Sequence, residues 1–218
     1  FLEIYFSRIS TPVINKISSG DFDITGIVGE VRDGLVVTVT KLTRAAEVYL
    51  YHFKSKNITP ITQVNDEMYA SIADTKVEAR ITKASDGLDL FSWVIYPPDF
   101  DQNKKYPTLL FCQGGPQSAT TQSYSFRWNF QLLASQGYIV IAPNRRGMPG
   151  WGVKWNEAIS QDWGGQPIRD YLSAIDDFAK EPYVDKDRIG AVGASYGGYS
   201  VFQLAGVHQG RFKSFISH

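Results

Sequence analysis

Gly193-Ala194-Ser195-Tyr196-Gly197 reads G-x-S-x-G, the pattern that presents a nucleophilic serine on a sharp turn between a strand and a helix. The chemistry of such a serine is acyl transfer: its oxygen attacks a carbonyl carbon and carries the acyl group until water removes it. Glycine and serine are common enough that the bare pattern arises by chance about once in fourteen chains of this length, so the surrounding sequence has to carry the reading. An apolar strand over 188–192 precedes the motif and a helix-compatible apolar run over 201–207 follows it. A serine on that turn has strained dihedrals, and the small residues Gly193, Gly197 and Gly198 let strand and helix approach each other.

Ser195 as a nucleophile needs a base within hydrogen-bond reach and donors for the oxyanion that develops on the attacked carbonyl. One donor expected in this setting is the backbone N–H just after the nucleophile, that of Tyr196. Another comes from the loop after the third strand. Thr108–Cys112 is that strand, and it runs into Gln113-Gly114-Gly115-Pro116, where adjacent glycines leave backbone N–H groups open to a substrate oxygen.

The elements that must position these residues fall into two textures. Residues 1–75 are rich in β-branched and aromatic residues broken by turn residues, with strands expected near 24–31, 35–41, 46–53 and 58–63 and a hairpin at Asp33-Gly34. Four antiparallel strands in this length make one blade of a β-propeller, and Phe1–Ile9 reads as a strand from the blade before; a small self-contained β-domain is the alternative. Residues 76–218 open with a hairpin, 77–83 and 88–96 around Ser85-Asp86-Gly87. Strands at 108–112, 138–142, 189–192 and 212–216 then alternate with helices, which predicts a mostly parallel sheet. The clearest helix is 167–180, where Ile168, Tyr171, Leu172, Ile175, Phe178 and Ala179 share one face; a second is expected over 122–135, ending at Gly137.

Composition narrows the partners. Lys+Arg and Asp+Glu are both 22, so nothing favours capture of nucleic acid or an anionic membrane surface. No apolar run is long enough to insert in a membrane. Cys112 is the single cysteine, and no Cys/His spacing fits a zinc site. No cofactor is implied.

With Ser195 and Gly114-Gly115-Pro116 in order, the chain resembles the prolyl oligopeptidase family of serine peptidases. The stretches that carry the likeness are YPTLLFCQGGPQS (106–118), GYIVIAPNRRGMPGWG (137–152), DWGG (162–165) and VDKDRIGAVGASYGGYS (184–200). Within the family it is particularly similar to bacterial dipeptidyl-peptidase-like and acylaminoacyl-peptidase-like members of the Bacteroides type. The resemblance implies an α/β-hydrolase domain, here its N-terminal portion over 76–218, preceded by the last blade of a β-propeller over 1–75. It implies peptide substrates cleaved without cofactor, a periplasmic or secreted location, and, as an open alternative, a homodimer. Many relatives carry tyrosine or histidine where Gln113 stands, so the second oxyanion donor is either the Gln113 side-chain amide or the loop backbone at Gly114. Trp151, Trp155 and Trp163 surround the expected cleft and read as packing residues.

Hydrolases of this kind supply the triad in the order Ser, Asp or Glu, then His. Tyr196 to His218 contain no Asp or Glu. His208 lies 13 residues beyond the serine, roughly 20 Å along a helix. His218 follows the next strand without an acid to support it, and His52 alternates with tyrosines in a strand. The acid and base are therefore expected beyond residue 218, and the chain, which starts at Phe1 without a methionine, is expected to be cut at both ends and inactive alone. Two other readings stay open: another α/β-hydrolase such as a carboxylesterase, and a non-catalytic binding protein on a degenerate hydrolase fold.

Overall fold

A computed structural model describes residues 1–8 and 10–218. Ile9, the last residue of the strand expected at the N-terminus, lies outside the described residues. The chain divides into two compact units, one formed by Phe1–Asp74 with Thr121–Asn129 and the other by Thr75–Thr120 with Phe130–His218.

In the first unit, β1 (Tyr5–Arg8) and β2 (Thr11–Lys16) form an antiparallel pair. A four-stranded antiparallel sheet follows: β3 (Asp23–Val31), β4 (Gly34–Lys41), β5 (Arg44–His52) and β6 (Ile58–Pro60), in sequential order. Strand alternation puts Ile24, Val37, Val39 and Tyr51 into a core with Ile4 and Phe22, while Ile27, Val28 and Val31 stay exposed. The hairpin turn is Arg32-Asp33, with Val31 paired to Gly34, one residue earlier than the sequence suggests. A short helix, α1 (Asp66–Ala70), completes the run.

Residues 121–129 belong to this unit and are not helical, contrary to the expectation of a helix from 122. Their polar groups are engaged elsewhere. Gln122 accepts the Leu42 N–H at 2.9 Å and donates to Asp21, and the Tyr124 N–H donates to the Thr40 hydroxyl.

The second unit is built on a six-stranded sheet. An antiparallel hairpin, β7 (Val77–Lys83) and β8 (Asp89–Ile95), leads into β9 (Tyr106–Cys112). The helix α2 (Phe130–Ser135) connects to β10 (Ile139–Pro143). Two helices, α3 (Val153–Glu157) and α4 (Gln166–Phe178), then precede β11 (Val184–Gly193), and α5 (Tyr196–Val207) precedes β12 (Ser214–Ser217). Strand order is β12-β11-β9-β10-β8-β7, with the four strands from β9 to β12 mutually parallel. Parallel strands need helices on their faces, and alternation shows which residues meet them. Leu110 and Cys112 enter the main core with Ile168, Tyr171, Ala174, Ile175 and Phe178 of α4 and with Val201 and Leu204 of α5. Phe111, between them, packs edge-on against Phe130 of α2 at 4.8 Å.

Candidate active site

The serine motif sits where β11 ends and α5 begins. Ser195 is exposed and has φ 59° and ψ −125°, a left-handed conformation that costs a non-glycine residue about 1–3 kcal/mol and persists only where the surroundings impose it. Those surroundings leave no room for side chains. A Cβ on Gly197 would lie 2.0 Å from the Cys112 carbonyl oxygen, and one on Gly193 would lie 2.6 Å from that of Gly197. Glycine at both positions is therefore a steric requirement of bringing the end of β9 against the turn.

The same closeness brings in the loop after β9. A Cβ on Gly114 would lie 3.5 Å from Cβ of Ser195, so the Gln113–Pro116 loop passes directly beside the serine. Tyr196 is the first residue of α5, a position whose N–H has no acceptor within the helix. The positive end of the helix dipole adds to the attraction of that amide for a developing negative charge. Gln113 is half-buried, and its side-chain amide reaches Ser118 Oγ at 3.5 Å.

Behind these groups lies Arg145, just past the end of β10 and fully buried. Its Nη1 donates to the carbonyls of Pro116 and Arg146 at 2.8 Å each, its Nη2 to that of Gln113 at 3.4 Å, and its Nε to the Tyr171 hydroxyl at 3.3 Å. The guanidinium also stacks 4.4 Å from the centre of the Tyr196 ring. That ring is fixed at its far end, where the Tyr196 hydroxyl donates to the Trp163 carbonyl at 2.7 Å and Trp163 meets it edge-on. Burial raises the pKa of the Tyr196 phenol, so it stays a donor. Burial likewise pushes the Cys112 thiol up, which suits a packing group rather than a reactive thiolate.

The next residue, Arg146, is also buried but faces carboxylates. Its Nε and backbone N–H donate to Asp170 Oδ2 at 2.9 and 2.8 Å, and Nη1 and Nη2 reach Asp86. Burial pulls the Arg146 pKa down, but the bonds to Asp170 and Asp86 more than offset it and leave it raised. Asp170 is fully buried on α4 and also accepts from Gln166.

The histidines are placed apart from this chemistry. His208 caps α5, its Nδ1 accepting the Phe212 N–H at 3.2 Å, while its ring packs on Phe215. His52 bonds Thr59 within the first unit's sheet at 2.9 Å. His218 approaches the serine through its backbone: its carbonyl accepts the Ser195 N–H at 2.9 Å and its N–H donates to Gly193 at 3.0 Å. Ser195 itself is held by backbone bonds, that one and the Tyr199 N–H on its carbonyl. Of the tryptophans, Trp155 is buried and donates to the Arg145 carbonyl, whereas Trp151 and Trp163 are partly exposed. Among the described residues no three His, Cys, Asp or Glu side chains are grouped to hold a metal ion, and no helix is long and apolar enough to cross a membrane.

Sequence reasoning placed Ser195, Tyr196, Gln113 and Gly114, and these residues converge at the ends of β9 and β11. It missed the roles of Arg145, Arg146, Asp170 and Tyr171. A signal was present: two adjacent arginines follow the wholly apolar strand IVIAP after a single residue, Asn144, where a charge is costly unless the fold has a use for it.

Residues 124–218 match the model of the prolyl oligopeptidase family. The chain is 57% identical over 171 residues to dipeptidyl-peptidase 5 of Porphyromonas gingivalis, a match covering 78% of this chain and 25% of that protein. It is 43% identical over 215 residues to dipeptidyl-peptidase 5 of Porphyromonas endodontalis, covering 99% and 31%. The chain thus spans between a quarter and a third of the length of these curated relatives. Among solved structures, the acylaminoacyl peptidase of Pyrococcus horikoshii superposes with a TM-score of 0.82 at 27% identity, covering 94% of this chain and 32% of that one.

Proposed function

We infer that the chain belongs, through residues 124–218, to the prolyl oligopeptidase family, and propose that it carries the nucleophile portion of a serine exopeptidase that removes dipeptides from peptide N-termini. The observation that carries the proposal is the exposed Ser195 at φ 59°, with Gly114 packed beside its Cβ and the first amide of α5 next to it. Ser195 Oγ attacks the scissile carbonyl as its proton passes to a general base; the oxyanion is received by the Tyr196 N–H and by Gln113 or Gly114; collapse expels the amine, which takes that proton, and leaves an acyl-serine that water hydrolyses to the free acid and serine. Residues 76–218 are then the N-terminal portion of the α/β-hydrolase domain. The four-stranded sheet β3–β6 suits the C-terminal part of a β-propeller over 1–75.

The base and acid are proposed to come from outside residues 1–218. His208 is spent on capping α5, and Tyr196–His218 offers no carboxylate. The polypeptide of 218 residues is therefore expected to react negligibly with a fluorophosphonate probe, and the whole protein rapidly. In the whole protein, Ser195→Ala is expected to abolish both labelling and release of dipeptides from dipeptidyl p-nitroanilides. Retained turnover in that variant refutes the nucleophile assignment. Turnover of p-nitrophenyl esters without any of dipeptidyl substrates favours a carboxylesterase instead.

A further inference from the structure

We propose that Arg145 is a positioning residue for the oxyanion site, a single buried guanidinium that ties the loop after β9 to the first residue of α5. The inference rests on the reading of Ser195 as the nucleophile and names what keeps its two sets of oxyanion donors in register. The donors lie on separate pieces of chain, and Arg145 touches both, by hydrogen bonds on one side and by stacking on the other. Its Nη1 and Nη2 hold the carbonyls of Pro116 and Gln113, at either end of the Gly114-Gly115 pair. Its flat face lies against the ring of Tyr196, whose backbone N–H is the other donor.

The surroundings show that this placement is costly and specific. Arg145 is 0% exposed, and no carboxylate lies within ion-pair distance of it among the described residues. Buried charges are ordinarily paired, yet this one is met by three carbonyls, a phenol and aromatic faces. The backbone makes room for it: Gly147 has φ 98°, and a Cβ there would lie 2.9 Å from Arg145 Nη1. An arginine serves here where a lysine would not, because its planar fork reaches several fixed carbonyls while its face stacks on a ring. A positive charge without a counter-charge behind the donors also favours negative charge developing on the substrate oxygen.

The test uses the whole protein with a dipeptidyl p-nitroanilide, the matching dipeptidyl boronic acid and the free dipeptide product. The boronic acid forms a tetrahedral adduct on the serine and places an oxygen in the oxyanion site; the product does not. Arg145→Gln is expected to lower kcat about 100-fold with KM changed less than about threefold, the pattern of a contact realised in the transition state. Affinity for the boronic acid should fall in parallel with kcat, and affinity for the product should stay within about twofold. Arg145→Lys, which keeps the charge without the fork, should recover part of the loss. The proposal is overturned if a folded Arg145→Gln or Arg145→Lys keeps wild-type kcat and boronate affinity, or if boronate and product affinities fall together. If neither variant folds, the residue is purely structural and the proposal is likewise overturned. Activity surviving in Ser195→Ala instead removes the nucleophile reading, independently of either Arg145 variant.

Discussion

Arg145 and Arg146 are chain neighbours and both are buried, but their charges meet opposite surroundings. Around Arg146 the fold supplies two carboxylates, from α4 and from the β7–β8 turn, and the cluster joins three separate segments of the second unit. Around Arg145 it supplies carbonyl oxygens, one hydroxyl and the faces of Tyr196 and Tyr171. A neutralised buried charge is a structural joint, whose value lies in geometry and whose loss is felt as instability. A buried charge left with its field intact sits beside the serine, where a field has chemical use. The contrast predicts that removing a partner of Arg146 costs more stability than removing a partner of Arg145, and that substituting Arg145 itself acts on kcat.

The largest stability effect is expected at Asp170, fully buried and in contact with the guanidinium, the backbone N–H of Arg146 and Gln166. Asp170→Asn leaves Arg146 with only the half-exposed Asp86 as counter-charge. It should lower the unfolding free energy by about 3–5 kcal/mol in denaturant titration. Replacing both partners, Arg146→Met with Asp170→Leu, should cost less than the single change, because no charge is then stranded in the core. If the double variant is the less stable, the cluster is not a neutralised joint and the contrast with Arg145 fails.

The joint was hidden in the sequence for a physical reason. Asp86 was legible only as part of a hairpin turn and Asp170 only as a polar residue inside a helical stripe, since nothing local says that two such residues meet an arginine 60 and 24 positions away. What was legible followed short-range rules. The 3.6-residue stripe gave α4, and the strand–turn–helix pattern gave the elbow at Ser195 with its flanking glycines, although the contact that dictates them, with Cys112 at the end of β9, came only from the fold. The helix expected over 122–135 forms only in its second half, as α2, because residues 121–129 are held by Leu42, Thr40 and Asp21, partners far away in sequence. Residue types and spacing thus marked Ser195 and the amides beside it as candidates, while the charge behind them became visible only once β9, β10 and α5 were brought together.

A smaller effect is expected at Tyr171, whose hydroxyl accepts from Arg145 Nε at 3.3 Å and whose phenol pKa is raised by burial. Tyr171→Phe keeps the ring and removes one acceptor from a charged donor, so stability should fall by about 1–2 kcal/mol in thermal or denaturant unfolding. A loss as large as that of Asp170→Asn would mean that Arg145 depends on its hydroxyl partner as Arg146 does on its carboxylate, which would erase the distinction between the two sites.

The smallest effect sharpens the comparison through pH. Asp86 has 42% of its side chain exposed, and its bond to Arg146 holds its carboxyl below the usual carboxylate range. A depressed folded-state pKa gives stability that is present above the unfolded carboxylate value, near pH 4, and is lost as pH falls through the lower folded value. Solvent screens this partner, so Asp86→Asn should cost less than about 1 kcal/mol at pH 7. The deficit should shrink as the pH is lowered below about 4, because protonation removes the same charge from the wild type. Urea titrations of the two proteins across that range read the difference directly. A deficit that stays constant with pH would show that Asp86 contributes by its hydrogen bonds to the turn and not by neutralising Arg146, leaving Asp170 as the sole counter-charge that sets Arg146 apart from Arg145.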